Sequence, residues 1–149
     1  MRRQTIALIA HDARKLDLIE WAKHNIEKLS QHKLVCTGTT GRLVKELFEK
    51  NNIITEVVCL KSGPLGGDQQ IGALIAEDKI DLILFLADNL SMQPHDTDIK
   101  ALSRLAQLYN IPMACNRSTA DYIISSPLFS DSNYERKRPS FDDYVNRKI

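Results

Sequence analysis

Residues 5 to 36 read TIALIAHDARKLDLIEWAKHNIEKLSQHKLVC, and this stretch decides the fold. Thr5 to Ala10 is a short apolar run of strand length. After it, Ile19, Ala22, Ile26 and Leu29 recur at spacings of three and four, which places them on one face of a helix. Lys33 to Cys36 is a second short apolar run. A strand, a crossover helix and another strand make the unit from which parallel sheets are built.

The pattern continues outward from that unit. Thr39, Thr40 and Gly41 lead into a helix whose inner face is Val44, Leu47 and Phe48, and Thr55 to Leu60 gives a third strand. A glycine-rich turn, Ser62-Gly63-Pro64-Leu65-Gly66-Gly67-Asp68, then opens a helix carrying Ile71, Leu74 and Ile75. Leu82 to Leu86 is apolar throughout, as expected of a strand covered on both faces. A polar loop, Asp88 to Asp98, precedes a helix with Ile99, Leu102, Leu105, Ala106 and Tyr109 toward the core. Pro112 to Cys115 is a fifth strand, and Ser118 to Ser125 a helix starting from a Ser or Thr cap. The expected fold is α/β: three layers, with a mainly parallel five-stranded sheet and helices on both faces, of Rossmann type. Periodicity fades from Ser126, so the chain reads as a single domain, 1 to 149, with a C-terminal arm from about residue 126.

Composition narrows the function. A chain of 149 residues buries a core without staples. With 20 Lys and Arg against 19 Asp and Glu, the net charge of +1 supplies no global field for nucleic acid or an acidic membrane. An anion must therefore be captured locally. Cys36, Cys59 and Cys115 lie far apart and contain no Cys-x-x-Cys pair, which argues against a disulfide framework or a structural zinc site; buried free thiols are expected. The apolar run Ile6 to Ala10 is too short for a signal peptide or a membrane span, so the expected location is the cytoplasm.

Placement carries the chemistry. His11-Asp12, Thr37-Gly38-Thr39-Thr40-Gly41, the loop ending at Asp68, and Asp88 through Asp98 each follow an expected strand, so all meet at one edge of the sheet. Open parallel sheets bind ligands there. Glycines let consecutive backbone N–H groups converge, the following helix adds its positive dipole end, and Thr37, Thr39, Thr40 and Lys15 add donors, which suits an anion. Glycine and threonine are also ordinary turn and cap residues. The second loop lacks the Lys and Ser or Thr of a nucleotide P-loop. Asp12, Asp68, Asp88, Asp96 and Asp98 stand with His11 and His95 as acid–base candidates, and Asp68 is the natural base because it ends a loop whose backbone can approach a ligand closely. Two His-Asp pairs invite a metal, but no His-x-x-x-His or Glu-x-x-His spacing supports one, and no metal is expected.

These loops resemble the methylglyoxal synthase family. The match rests on Ile9-Ala10-His11-Asp12 with Lys15, Thr37-Gly38-Thr39-Thr40-Gly41, Gly63-Pro64-Leu65-Gly66-Gly67-Asp68-Gln69-Gln70, Gln93-Pro94-His95-Asp96 and Asn116 with Thr119-Ala120, in order from about Ile6 to Ser125. The resemblance implies a cofactor-free carbon–oxygen lyase that turns dihydroxyacetone phosphate into methylglyoxal and inorganic phosphate, with phosphate also an inhibitor. It implies that Asp68 removes the proton, that His95 hydrogen-bonds the enediolate, and that Asp98 is the second important carboxylate. His11 would orient the substrate; Lys15, Thr37, Thr39, Thr40, Ser62 and Gly63 would hold its phosphate; Asp12 and Asp88 would support. It further implies a homohexamer in which a C-terminal arginine, best matched by Arg147 with Arg136 or Arg138 as alternatives, reaches a neighbour's phosphate. Asn89 departs from the family, where proline commonly follows the aspartate. Two other readings remain at this stage, an effector-sensing regulatory domain of the same fold and a metal-dependent phosphohydrolase.

Overall fold

A computed structural model describes residues 2–91 and 96–148, the side chains of 96–98 excepted. Its centre is the strand β1 (Thr5–Ala10), whose side chains are buried on both faces from Ile6 onward. β1 pairs in parallel with β2 (Lys33–Cys36) on one side and β4 (Leu82–Leu86) on the other. β3 (Glu56–Cys59) extends the sheet beyond β2, and β5 (Met113–Ala114) extends it beyond β4. The five strands run in the order β3-β2-β1-β4-β5, all parallel among the described residues.

Alternation along the strands sorts the side chains into two cores. Ile6, Leu8, Ala10, Leu34, Leu82, Leu84 and Leu86 face α1 (Lys15–His24), α2 (Ile26–Ser30), α3 (Gly38–Lys50) and α6 (Arg117–Ser125). Ala7, Ile9, Val35, Ile83 and Phe85 face α4 (Gly67–Ala76) and α5 (Asp96–Leu108). β4 is thus apolar at every position, and β1 and β2 are so after Thr5 and Lys33, whereas edge strand β3 is only partly covered.

Some sequence expectations shift. The single helix expected after β1 is two, broken at Asn25, and α1 buries Leu18, Trp21 and Ala22 while Ile19 and Ile26 are only partly covered. α6 is capped by Asn116, whose side chain accepts from the Thr119 N–H at 2.8 Å, not by a Ser or Thr. Of the three cysteines only Cys36 is buried; Cys59 on the edge strand and Cys115 past β5 are exposed.

The chain after α6 returns to the amino end of the sheet through α7 (Pro127–Ser130), which buries Phe129 against His32, ring centres 5.1 Å apart. Arg136 is then buried. It pairs with Asp78 and donates to the Tyr109 carbonyl at 2.8 Å, while Arg138 binds the other Asp78 oxygen. α8 (Asp142–Val145) follows after Phe141 meets the Tyr109 ring at 5.2 Å.

Candidate active site at the carboxyl edge of the sheet

β1, β2 and β3 end side by side, and the three loops that follow them line one cavity of about 330 Å³. His11, Asp12, Lys15, Thr37, Thr39, Ser62, Gly63 and Asp68 all contribute to it. The sequence places these residues in separate segments. Parallel pairing brings them together, because every crossover returns the chain to the same edge.

The loops after β2 and β3 interlock. The Gly38 N–H donates to the Lys61 carbonyl at 3.1 Å, and the Gly38 backbone, at φ +49°, lies so close to Ser62 that a side chain would meet it at 2.9 Å. Gly67 is more restricted still. A β-carbon there would fall 2.0 Å from the Lys61 carbonyl oxygen, so only glycine lets α4 begin this close to the loop before it. The Gln70 side chain, one turn further on, accepts from the Lys61 N–H at 2.9 Å and ties the helix back to the loop.

This packing sets Asp68 in the first turn of α4 with only 2 % of its surface exposed, at the positive end of the helix dipole. α3 likewise starts at Gly38, which directs its first N–H groups to the same edge. Thr37 is buried beside it and Thr39 lines the cavity. Thr40 sits one residue deeper, 1 % exposed, with its hydroxyl unbonded among the described residues, and it does not line the cavity.

His11 closes the other wall, edge-on to Phe85 at 5.4 Å. Its Nδ1 accepts from the Asp88 N–H at 2.9 Å, which requires that the neutral ring carry its proton on Nε2. Asp88 therefore reaches His11 through its backbone, while its carboxylate accepts from the Leu90 N–H at 3.1 Å. Hydrogen bonds from Ser91 and Leu90 hold that carboxyl below the usual range. Sequence reasoning treated Asp88 as a carboxylate and missed this amide, since nothing in residue type marks a backbone donor. Lys15 is the first residue of α1, largely covered, and pairs with the exposed Asp12, whose carboxyl it holds below the ordinary value.

His95 and the Asp98 side chain lie outside the described residues. Arg147 is exposed on the C-terminal arm, stacked 3.7 Å over the Tyr144 ring, and Arg136 and Arg138 are both engaged with Asp78. Among the described residues no three His, Cys, Asp or Glu side chains gather to hold a metal ion, and no helix is long and apolar enough to cross a membrane.

A parallel sheet with a buried carboxylate, an imidazole and two helix N-termini around one cavity at its carboxyl edge defines a doubly wound α/β protein with a cavity where such sheets receive ligands and where helix N-termini can meet an anion. Comparison with known proteins makes this specific. Residues 17–115 match the MGS-like domain family model. The chain is 51 % identical over 146 residues to methylglyoxal synthase of Proteus mirabilis, covering 98 % of this chain and 92 % of that one. It is 49 % identical over 140 residues to methylglyoxal synthase of Treponema socranskii, covering 94 % and 89 %. The crystal structure of methylglyoxal synthase from Elizabethkingia anophelis superposes with a TM-score of 0.86 at 46 % identity, covering 99 % of this chain and 93 % of that one. The chain belongs to the methylglyoxal synthase family, and it is an enzyme.

Proposed function

We propose that this enzyme converts dihydroxyacetone phosphate into methylglyoxal and inorganic phosphate, without a cofactor, as a cytoplasmic homohexamer. The observation that carries the reading is the burial of Asp68 in the cavity that also holds His11, Lys15, Thr37, Thr39, Ser62 and Gly63. The proton beside a ketone is weakly acidic, so a carboxylate removes it only where donors already face the developing enediolate oxygens. Asp68 takes that proton. His11, with its Nε2–H fixed by the Asp88 amide, orients the substrate, and His95 hydrogen-bonds the enediolate with Asp98 as the second carboxylate.

The phosphate rests on Thr37, Thr39, Ser62 and the Gly63 backbone, with Thr40 packed behind them and Lys15 leaving Asp12 to meet it. Elimination breaks the carbon–oxygen bond and the electron pair departs with phosphate. Inorganic phosphate fits the same cradle and inhibits, and Arg147 of a neighbouring copy completes the cradle. The test is incubation of chelator-treated protein with dihydroxyacetone phosphate, following methylglyoxal and phosphate together while inorganic phosphate is added in millimolar steps. Equal release of both products, slowed by added phosphate, is expected. Phosphate released without methylglyoxal would overturn the reading in favour of a phosphatase.

A further inference from the structure

Cys36 and Cys59 end adjacent parallel strands and sit directly opposite each other in the β2–β3 register. Residues so paired point to the same face of a sheet, and neighbouring strands run about 4.8 Å apart, inside the ~4.4–6.8 Å Cα range of a disulfide. Both cysteines lie beneath α3 where Gly41 has no side chain. A β-carbon on Gly41 would stand 3.2 Å from the Cys59 Cβ, 3.3 Å from the Cys36 Cβ and 2.7 Å from the Cys59 sulfur. The Cys59 sulfur thus occupies room that the glycine leaves, turned in beneath the helix. Cys59 is nonetheless exposed and belongs to an edge strand, whereas Cys36 is fully buried.

We propose that Cys36 and Cys59 form a reversible intrachain disulfide under peroxide, and that this bond loosens the grip of the site on phosphate. The second half rests on the reading of the cavity as a phosphate cradle. Peroxide reaches the exposed Cys59 first, because burial and the neighbouring Cys59 push the Cys36 thiol up and keep it protonated. The Cys59 sulfur is oxidised to a sulfenic acid as the peroxide O–O bond breaks and one oxygen leaves as water. The Cys36 sulfur then attacks it, the S–S bond forms, the S–O bond breaks, and a second water leaves with the Cys36 proton.

The consequence for the site follows from connectivity. Thr37 directly follows Cys36, Ser62 lies three residues past Cys59, and the loops they begin are joined by the Gly38–Lys61 hydrogen bond. Fixing the Cys36 and Cys59 side chains in disulfide geometry shifts the two loops relative to each other at the point where Gly38 and Ser62 already touch.

The experiment uses the full chain carrying Cys115→Ser, which removes the other exposed thiol. After stoichiometric hydrogen peroxide and alkylation, tryptic cleavage at Arg42, Lys45 and Lys50 separates the two cysteines, so a linked pair of peptides from one chain reports the bond without recourse to activity. The expected result is that linked pair, with inorganic phosphate binding weakened about tenfold, as the loss of one hydrogen bond to the anion would cost, and restored by dithiothreitol. Cys59→Ser should keep its phosphate affinity through the same treatment. Recovery of Cys59 as sulfinic or sulfonic acid with Cys36 unlinked, or a bond between chains, would overturn the disulfide. A linked pair with unchanged phosphate binding would overturn the coupling and leave the proposed reaction standing.

Discussion

The two ends of the sheet use the same kinds of residue to opposite purposes. At the amino end, a cavity of about 190 Å³ is lined by Arg2, Asp81, Asp131 and Arg136 over an apolar floor. Its charges are largely spent on the chain itself. Arg2 meets Asp81 at 2.9 Å, Asp81 also accepts from the Thr5 N–H at 2.9 Å, and Arg136 is bound to Asp78. At the carboxyl end, Asp68, His11 and the starts of α3 and α4 converge on open space. A charge spent on a neighbouring charge of the fold holds structure, whereas groups gathered around a cavity can also meet a ligand there. The sheet imposes the division, since the strands deliver the cavity-lining loops at one end only.

The comparison breaks most sharply at Asp68. Asp68→Asn keeps the shape and removes the proposed base, so turnover should fall by about 10³-fold, within the span general-base loss commands, with the thermal midpoint little changed. Steady-state kinetics beside a melting curve would show it. A variant that retained most of its activity would end the distinction between the two ends.

At the amino end the converse is expected. Burial pulls the Asp78 carboxyl up, but hydrogen bonds from Arg138 and Arg136 outweigh it and leave the group below its usual range. Asp78→Asn leaves the buried Arg136 without its counter-ion, and should cost about 1–2 kcal/mol of stability, less than a fully enclosed pair because Asp78 is partly open to solvent. Denaturant unfolding measures that loss. The kcat should be unchanged.

The smallest effect is expected at His32. Its ring is fully buried, with Nδ1 accepting from the Gln4 N–H at 3.1 Å and a ring edge on Phe129. Burial lowers its pKa from 6.5, with Asp81 opposing and Arg3 and the amino terminus assisting. The unfolded chain therefore binds a proton that the folded one refuses. Stability is complete above the unfolded value of 6.5 and falls as pH drops below it, with a slope of at most about 1.4 kcal/mol per unit, levelling once the folded ring also titrates. His32→Gln should flatten that slope in urea unfolding between neutral and mildly acidic pH, and leave the pH profile of turnover unmoved.

What the sequence disclosed follows the range of the interaction. The strands were legible because burial on both faces leaves an apolar run, as Leu82–Leu86 does. The placement of Asp68 at the cavity was legible because the glycines that admit its backbone are its sequence neighbours. The first helix was misread because Ile19, Ala22, Ile26 and Leu29 fall at helical spacing across a break at Asn25, while Leu18 and Trp21 carry the burial. The anchoring of Arg136 on Asp78 spans 58 positions and left no local trace. The exposure of Cys59 depends on β3 being an edge strand, which is a property of strand order and not of composition.

The bond between the Asp88 amide and His11 Nδ1 gives the site its own spectroscopic witness. An amide in a loop between a strand and partly exposed residues would ordinarily trade its hydrogen for deuterium quickly, yet this one is held by an imidazole lone pair and should exchange slowly. Adding a proton to Nδ1 destroys the acceptor and releases the amide. The exchange rate of one backbone hydrogen thus reports the charge state of a side chain 77 positions away.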